Sequence, residues 1–153
     1  MFNALKEIPQ LVRLVQVGIR DYSQIEWDYI THSNFKVITY FDKEIKNRQF
    51  EGDTWKHIAE EIVSKLPEKV YISFDIDGLD RKLCPHTGTP VPGGFELEEV
   101  FFVFRKIMES GREIVGFDLS EVGVSDTDWN SNVGARVLFK LCNLLVTSHT
   151  AHT

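Results

Sequence analysis

A chain of 153 residues that is 42% hydrophobic and 12% aromatic has the size and apolar content for one packed domain, which excludes a disordered tail. Its 17 Lys+Arg against 23 Asp+Glu leave a net charge of −6 with no basic stripe, so nucleic acid is excluded as a partner and a divalent metal or a cationic substrate is favoured. No apolar run is long enough to span a bilayer and no signal peptide is visible; with two widely spaced cysteines, Cys84 and Cys142, read as packing residues, no membrane partner is expected and the reducing cytoplasm is the expected compartment.

In chain order, Phe2 to Ile8 has the apolar spacing of a helix tail with no capping residue before it. Leu14 to Ile19 reads as a strand, Gln24 to Thr31 as a short helix and Val37 to Phe41 as a second strand. In "DTWKHIAEEIVSKLP" the residues Trp55, Ile58, Ala59, Ile62, Val63 and Leu66 recur at helical spacing, with Asp53 expected as the N-cap and Pro67 as the stop. Val70 to Phe74 is a continuous apolar run, as expected of a parallel strand covered on both faces. Residues 78–95 form a Gly/Pro loop. Glu96 to Ser110 is helical with Gly111 as its C-terminal cap, Glu113 to Leu119 is a fourth strand, and "WNSNVGARVLFKLCNLLVTS" closes the chain as a helix. Strands separated by helices predict an α/β fold, a mainly parallel sheet between helical layers.

In such sheets, ligands bind beyond the carboxyl ends of the strands, and three acidic groups fall there. Asp75 and Asp77 end the third strand in "SFDIDGLD"; at positions i and i+2 of an extended chain both carboxylates reach one point. Asp118 and Glu121 follow the fourth strand in "GFDLSEV", and Asp21 and Glu26 follow the first in "VGIRDYSQIE". A single Asp after a strand is commonly a turn former or helix cap, but a carboxylate pair is costly to bury without a cation or a reaction to serve.

The stretch "SFDIDGLDRKLCPHTGTPVPGGF" resembles the metal-binding signature of the ureohydrolases, the arginase, agmatinase and formimidoylglutamase family, with "VGIRD" and "GFDLSEV" in the family's order on either side. The resemblance implies a three-layer α/β/α arginase-like fold, here incomplete, with residues 1–153 as the C-terminal portion of a single domain. It further implies a two-manganese centre with Asp75 and Asp77 as ligands, Asp75 bridging the ions, because hard oxygen donors suit Mn²⁺. The expected reaction is hydrolysis of a guanidino or formimino C–N bond in a small cationic substrate, and the expected assembly is a homo-oligomer. Glu121 would face the nitrogens of the reacting group, with Asp75 and Glu121 as the catalytic pair and Asp118, Asp21 and Glu26 as further substrate-binding acids. Asp80, Thr87, Gly88 and Thr89 would shape the loop, and Gly93 and Gly94 would permit its tight turns.

The departures from the pattern are informative. Arg81 stands where many members have Pro, "EVGV" replaces the "EVNP" of arginases, and Ser23 takes the place of the second acid that arginases use on the amino-acid end of arginine. Arginine is therefore disfavoured as substrate against another guanidino or formimino compound. The family's "GGDHS" and "DAHxD" motifs occur nowhere in the sequence, and His32, His57, His86, His149 and His152 sit outside any such motif. Surface roles are expected for most of them; His86 is the one near the acidic site. Activity of the chain by itself is accordingly a separate expectation from that of the family.

Two other readings compete. A strand ending in "DIDG" also resembles the first motif of haloacid-dehalogenase-type phosphatases, in which Asp75 would be the nucleophile and Asp77 the acid/base around Mg²⁺, although the later Lys and acidic pair are poorly matched and the TGTPVPGG loop is left unexplained. The other is a non-catalytic α/β unit acting through subunit packing.

Overall fold

The computed structural model describes residues 2–34 and 36–150. Among these residues, four strands and six helices follow in the order α1 Phe2–Glu7, β1 Leu14–Ile19, α2 Gln24–Thr31, β2 Val37–Phe41, α3 Asp42–Phe50, α4 Trp55–Ser64, β3 Lys69–Asp75, α5 Leu97–Glu109, β4 Glu113–Ser120 and α6 Trp129–Thr150, with a 3₁₀ turn over Ile76–Gly78. His152 lies outside the described residues.

β1 pairs with β2 and β3 with β4, both in parallel, as two separate two-stranded sheets. Parallel pairing requires a crossover, and the intervening helices supply it: α2 between β1 and β2, α5 between β3 and β4. The helices owe their positions to local signals. Ser23 and Glu26 form a reciprocal capping box at the start of α2. At α4 the cap is Thr54, whose hydroxyl accepts from the His57 amide at 3.2 Å, rather than the expected Asp53. Asp53 is instead held by Arg48 and His57 at 2.7 and 2.8 Å, so its carboxylate is turned to ion pairing.

Burial follows the periods. Ile58, Ala59, Ile62 and Val63 of α4, Val100, Phe104 and Ile107 of α5, and Val133, Val137, Leu141 and Leu144 of α6 face a common core with Val70, Ile72, Phe74 and Ile114 of the sheet. The buried amide of Ile114 donates to Ser148 Oγ at 2.7 Å, joining β4 to α6.

Three further points differ from the sequence reading. β3 is not covered on both faces: Val70, Ile72 and Phe74 are buried, whereas Tyr71 is 59% exposed and Ser73 is open, so the strand alternates like a one-sided sheet. α3 has no counterpart among the predicted elements, because DKEIKNRQF buries only Asp42 and Ile45 and so carries no apolar period. Cys84 is buried as expected, but Cys142 is exposed on the outer side of α6, one position beyond the buried Leu141.

Candidate carboxylate site at the end of strand β3

The strand stops at Asp75 and the chain turns at once through the 3₁₀ segment, so Asp77 belongs to a turn and not to an extended i, i+2 pair. The two carboxyls nevertheless lie close enough for Asp77 to act on Asp75 through its charge and its polar groups. Asp75 is raised to about 6, first by burial, then by the negative charge of Asp77, with Glu121 adding to it. Three acids thus share one end of the β3–β4 pair.

Glu121 is placed there by an unusual backbone. It follows β4 with φ +60, in the left-handed region that a residue with a side chain seldom occupies. The loop after β3 rises against it: a Cβ on Gly88 would lie 3.1 Å from Glu121 Oε2, and Thr89 Oγ1 donates to Asp77 Oδ2 at 3.2 Å. The loop is closed at its base by the Leu79–Phe95 bridge, in which the Asp80 amide donates to the Phe95 carbonyl at 2.9 Å and the Phe95 amide to the Gly78 carbonyl at 3.1 Å. Asp80 Oδ1 caps the next turn by accepting from the Lys82 amide at 2.9 Å. Trp129 Nε1 reaches across from α6 to the Lys82 carbonyl at 3.0 Å. Gly123 explains one departure in the sequence, because a Cβ there would meet the His86 carbonyl oxygen at 1.8 Å; "EVGV" leaves room for the loop backbone.

The other expected site residues are held elsewhere. Asp118 lies on the open face of β4, where Ser73 Oγ donates to it at 3.0 Å and where burial first, then the Asp118 charge, pushes the Tyr71 phenol upward; its neighbours are these two side chains rather than Asp75. Glu26 is engaged in the capping box, with Ser23 bonds holding its carboxyl below the ordinary range, and Asp21 is exposed beside it. His86 Nδ1 faces Asn130 Oδ1 at 3.3 Å, on α6. Among the described residues, no group of three or more His, Cys, Asp or Glu side chains is arranged to hold a metal ion. Asp75 and Asp77 therefore supply a carboxylate pair, part of a donor set.

The residue missed in the sequence is Arg20. Its guanidinium crosses from the end of β1 to the turn after β3, donating to the Asp77 carbonyl and, at 3.3 Å, to the Gly78 carbonyl. A signal was present in "VGIRD", where a cation directly follows a strand at the ligand-binding end of the sheet.

Comparison with known proteins gives a consistent result. The model of the arginase family matches residues 1–143. The chain is 31% identical over 142 residues to a guanidinobutyrase of Pseudomonas aeruginosa, covering 87% of this chain and 40% of that enzyme. It is 37% identical over 97 residues to an agmatinase of Pyrococcus horikoshii, covering 58% of this chain and 34% of the relative. Among solved structures, proclavaminate amidino hydrolase from Streptomyces clavuligerus superposes with a TM-score of 0.77 at 25% identity, over 97% of this chain and 47% of that one. The chain thus spans less than half the length of these relatives. None of these similarities favours the phosphatase reading of "DIDG", and the match across nearly all of the sequence places the chain in the arginase family.

Proposed function

We propose that this chain supplies the Asp75/Asp77/Glu121 portion of a manganese-dependent ureohydrolase site that hydrolyses a guanidino C–N bond. The observation that carries the reading is the crowding at Asp75, whose carboxyl is raised to about 6 by burial and by two neighbouring acids. Such a pair of hard oxygen donors fits a divalent manganese ion, whose charge would relieve the repulsion. When bound, manganese supplies Lewis acidity and a water that is nucleophilic at neutral pH.

The chain's own residues would do the rest. Asp75 and Asp77 hold the metal side of the site, with Thr89 fixing one oxygen of Asp77. Glu121, aimed at the loop by its left-handed backbone, accepts hydrogen bonds from the nitrogens of a guanidinium group and neutralises its charge. Water adds to the trigonal carbon, the C–N bond to the substrate's alkyl amine breaks, and urea and the protonated amine leave.

The guanidinobutyrase and agmatinase relatives, together with Ser23 in place of an arginase acid, favour a guanidino compound without the amino-acid end of arginine. A formimino substrate is the weaker option on the same grounds. Among the described residues no helix is long and apolar enough to cross a membrane. A cytoplasmic location and assembly as a homo-oligomer complete the proposal.

The test is a Mn²⁺ titration of the chain by electron paramagnetic resonance, followed by urea release from 4-guanidinobutyrate, agmatine and arginine. Saturable binding that is lost in Asp75→Asn, with turnover of a guanidino substrate other than arginine, supports the proposal. Equal Mn²⁺ binding by wild type and Asp75→Asn would overturn it.

A further inference from the structure

Arg20 sits in a setting more elaborate than a surface arginine needs. Its fork reaches two successive carbonyls of one turn, those of Asp77 and Gly78, whereas its Nε is buried with no hydrogen-bond partner. Space for the guanidinium is made by Gly94, whose φ is +101 and on which a Cβ would lie 2.4 Å from Arg20 Nη1 and 2.6 Å from the Leu79 carbonyl oxygen. A Cβ on Gly93 would stand 2.8 Å from Asp42 Oδ2 and 3.5 Å from Arg20 Cδ, so the glycine pair forms a floor between the arginine and a buried acid. Asp42 is 7% exposed, and its Oδ1 also lacks a partner. A half-buried cation and a buried anion thus flank one backbone corner.

The consequence lies in what the fork holds. The turn it grips is the one that carries Asp77 toward Asp75, and no other side chain bonds the Asp77 carbonyl among the described residues. A planar guanidinium presents two donors in a fixed fork to the two carbonyls, which a point-like ammonium cannot do.

We propose that Arg20 is a positioning residue: its fork on the Asp77 and Gly78 carbonyls sets the angle at which Asp77 meets Asp75. This rests on the reading of Asp75 and Asp77 as a metal-binding pair. Outer contacts of this kind typically change metal affinity by about 10- to 100-fold when removed.

The experiment compares wild type, Arg20→Lys and Arg20→Gln with Arg13→Lys as control. Arg13 Nη1 makes the same kind of bond, to the Lys65 carbonyl at 2.7 Å, far from the site. Two readouts are taken: the ¹³C shifts of the Asp77 and Gly78 carbonyls in the metal-free chain, and Mn²⁺ affinity by electron paramagnetic resonance. In Arg20→Lys both carbonyl shifts should move and Mn²⁺ affinity should fall at least about tenfold, with the same melting midpoint as Arg13→Lys. Arg13→Lys should move neither readout. Unchanged carbonyl shifts in Arg20→Lys, or full retention of Mn²⁺ affinity by lysine, would overturn the proposal. If wild type binds no Mn²⁺, the metal reading of the site fails, and the carbonyl shifts alone then decide whether Arg20 sets the turn. Should Arg20→Gln fail to fold, Arg20→Lys keeps the comparison intact.

Discussion

Replacing Asp75 by Asn removes a charge that the fold makes costly, and the pH dependence of that cost can be worked out. The carboxyl ionises near 3.8 when unperturbed and at about 6 in the folded chain. A folded-state value above the unfolded one means that the native chain holds the proton more tightly. The resulting stabilisation is fully present below about pH 3.8 and is lost as pH rises through about 6. A rise of this size would correspond to about 3 kcal/mol if the group were sealed from water. Asp75 is only partly buried, at the exposed last position of β3, so solvent screening reduces this to roughly 1 kcal/mol. Urea unfolding of wild type and Asp75→Asn at pH 4, 5, 6 and 7 should therefore give difference values that grow by about 1 kcal/mol in favour of Asn between pH 4 and 7. Parallel curves over that interval would refute the argument, because they would mean that Asp75 does not feel Asp77 and Glu121. Added Mn²⁺ should close the gap by stabilising wild type alone.

Glu121→Gly should raise stability by about 0.5–1 kcal/mol through relief of the left-handed backbone and, on the proposed function, remove urea release from a guanidino substrate; a destabilised variant in urea would show that the side chain is needed for packing. Ser148→Ala strands the buried Ile114 amide and should cost about 1–3 kcal/mol, read from the denaturation midpoint. Thr54→Ala should cost about 1 kcal/mol as the true cap of α4, and more than any effect of Asp53→Ala on that helix's amide exchange.

Much of the architecture could be read from the chain because its signals are local and periodic. The apolar spacing of α4, α5 and α6 and the strand ends at Ile19 and Phe41 coincide with the observed elements. α3 escaped because a helix lying on the surface with Ile45 as its one large buried residue needs no apolar stripe. The two-sided covering expected of β3 failed for a related reason: Tyr71 supplies apolar character to a position that is open, so composition hid the alternation. At the site, Asp75 and Asp77 were visible as a motif, and Glu121 as the acid after β4. The diversion of Glu26 into a cap and of Asp118 toward Ser73 depends on hydroxyls that compete for those carboxylates. Arg20 was hidden because its partners are backbone carbonyls 57 and 58 residues away, which no side-chain pattern encodes.

The parallel pairing of β3 with β4 has a kinetic meaning. Ser73 and Asp118 are neighbours across the pair yet lie 45 residues apart in sequence, so Glu121 reaches Asp75 only when a long segment, including α5 and the loop over the site, has closed. Non-local pairing of this kind is slow, because the entropy of loop closure is lost before any contact compensates for it. Asp77 is near Asp75 in sequence, but the third charge arrives with the strand. Where that pairing limits the rate, part of the burial and repulsion at Asp75 is already felt on the way up, and refolding should slow as pH rises through about 6. The carboxylates that define the site would then also set the tempo at which it is assembled.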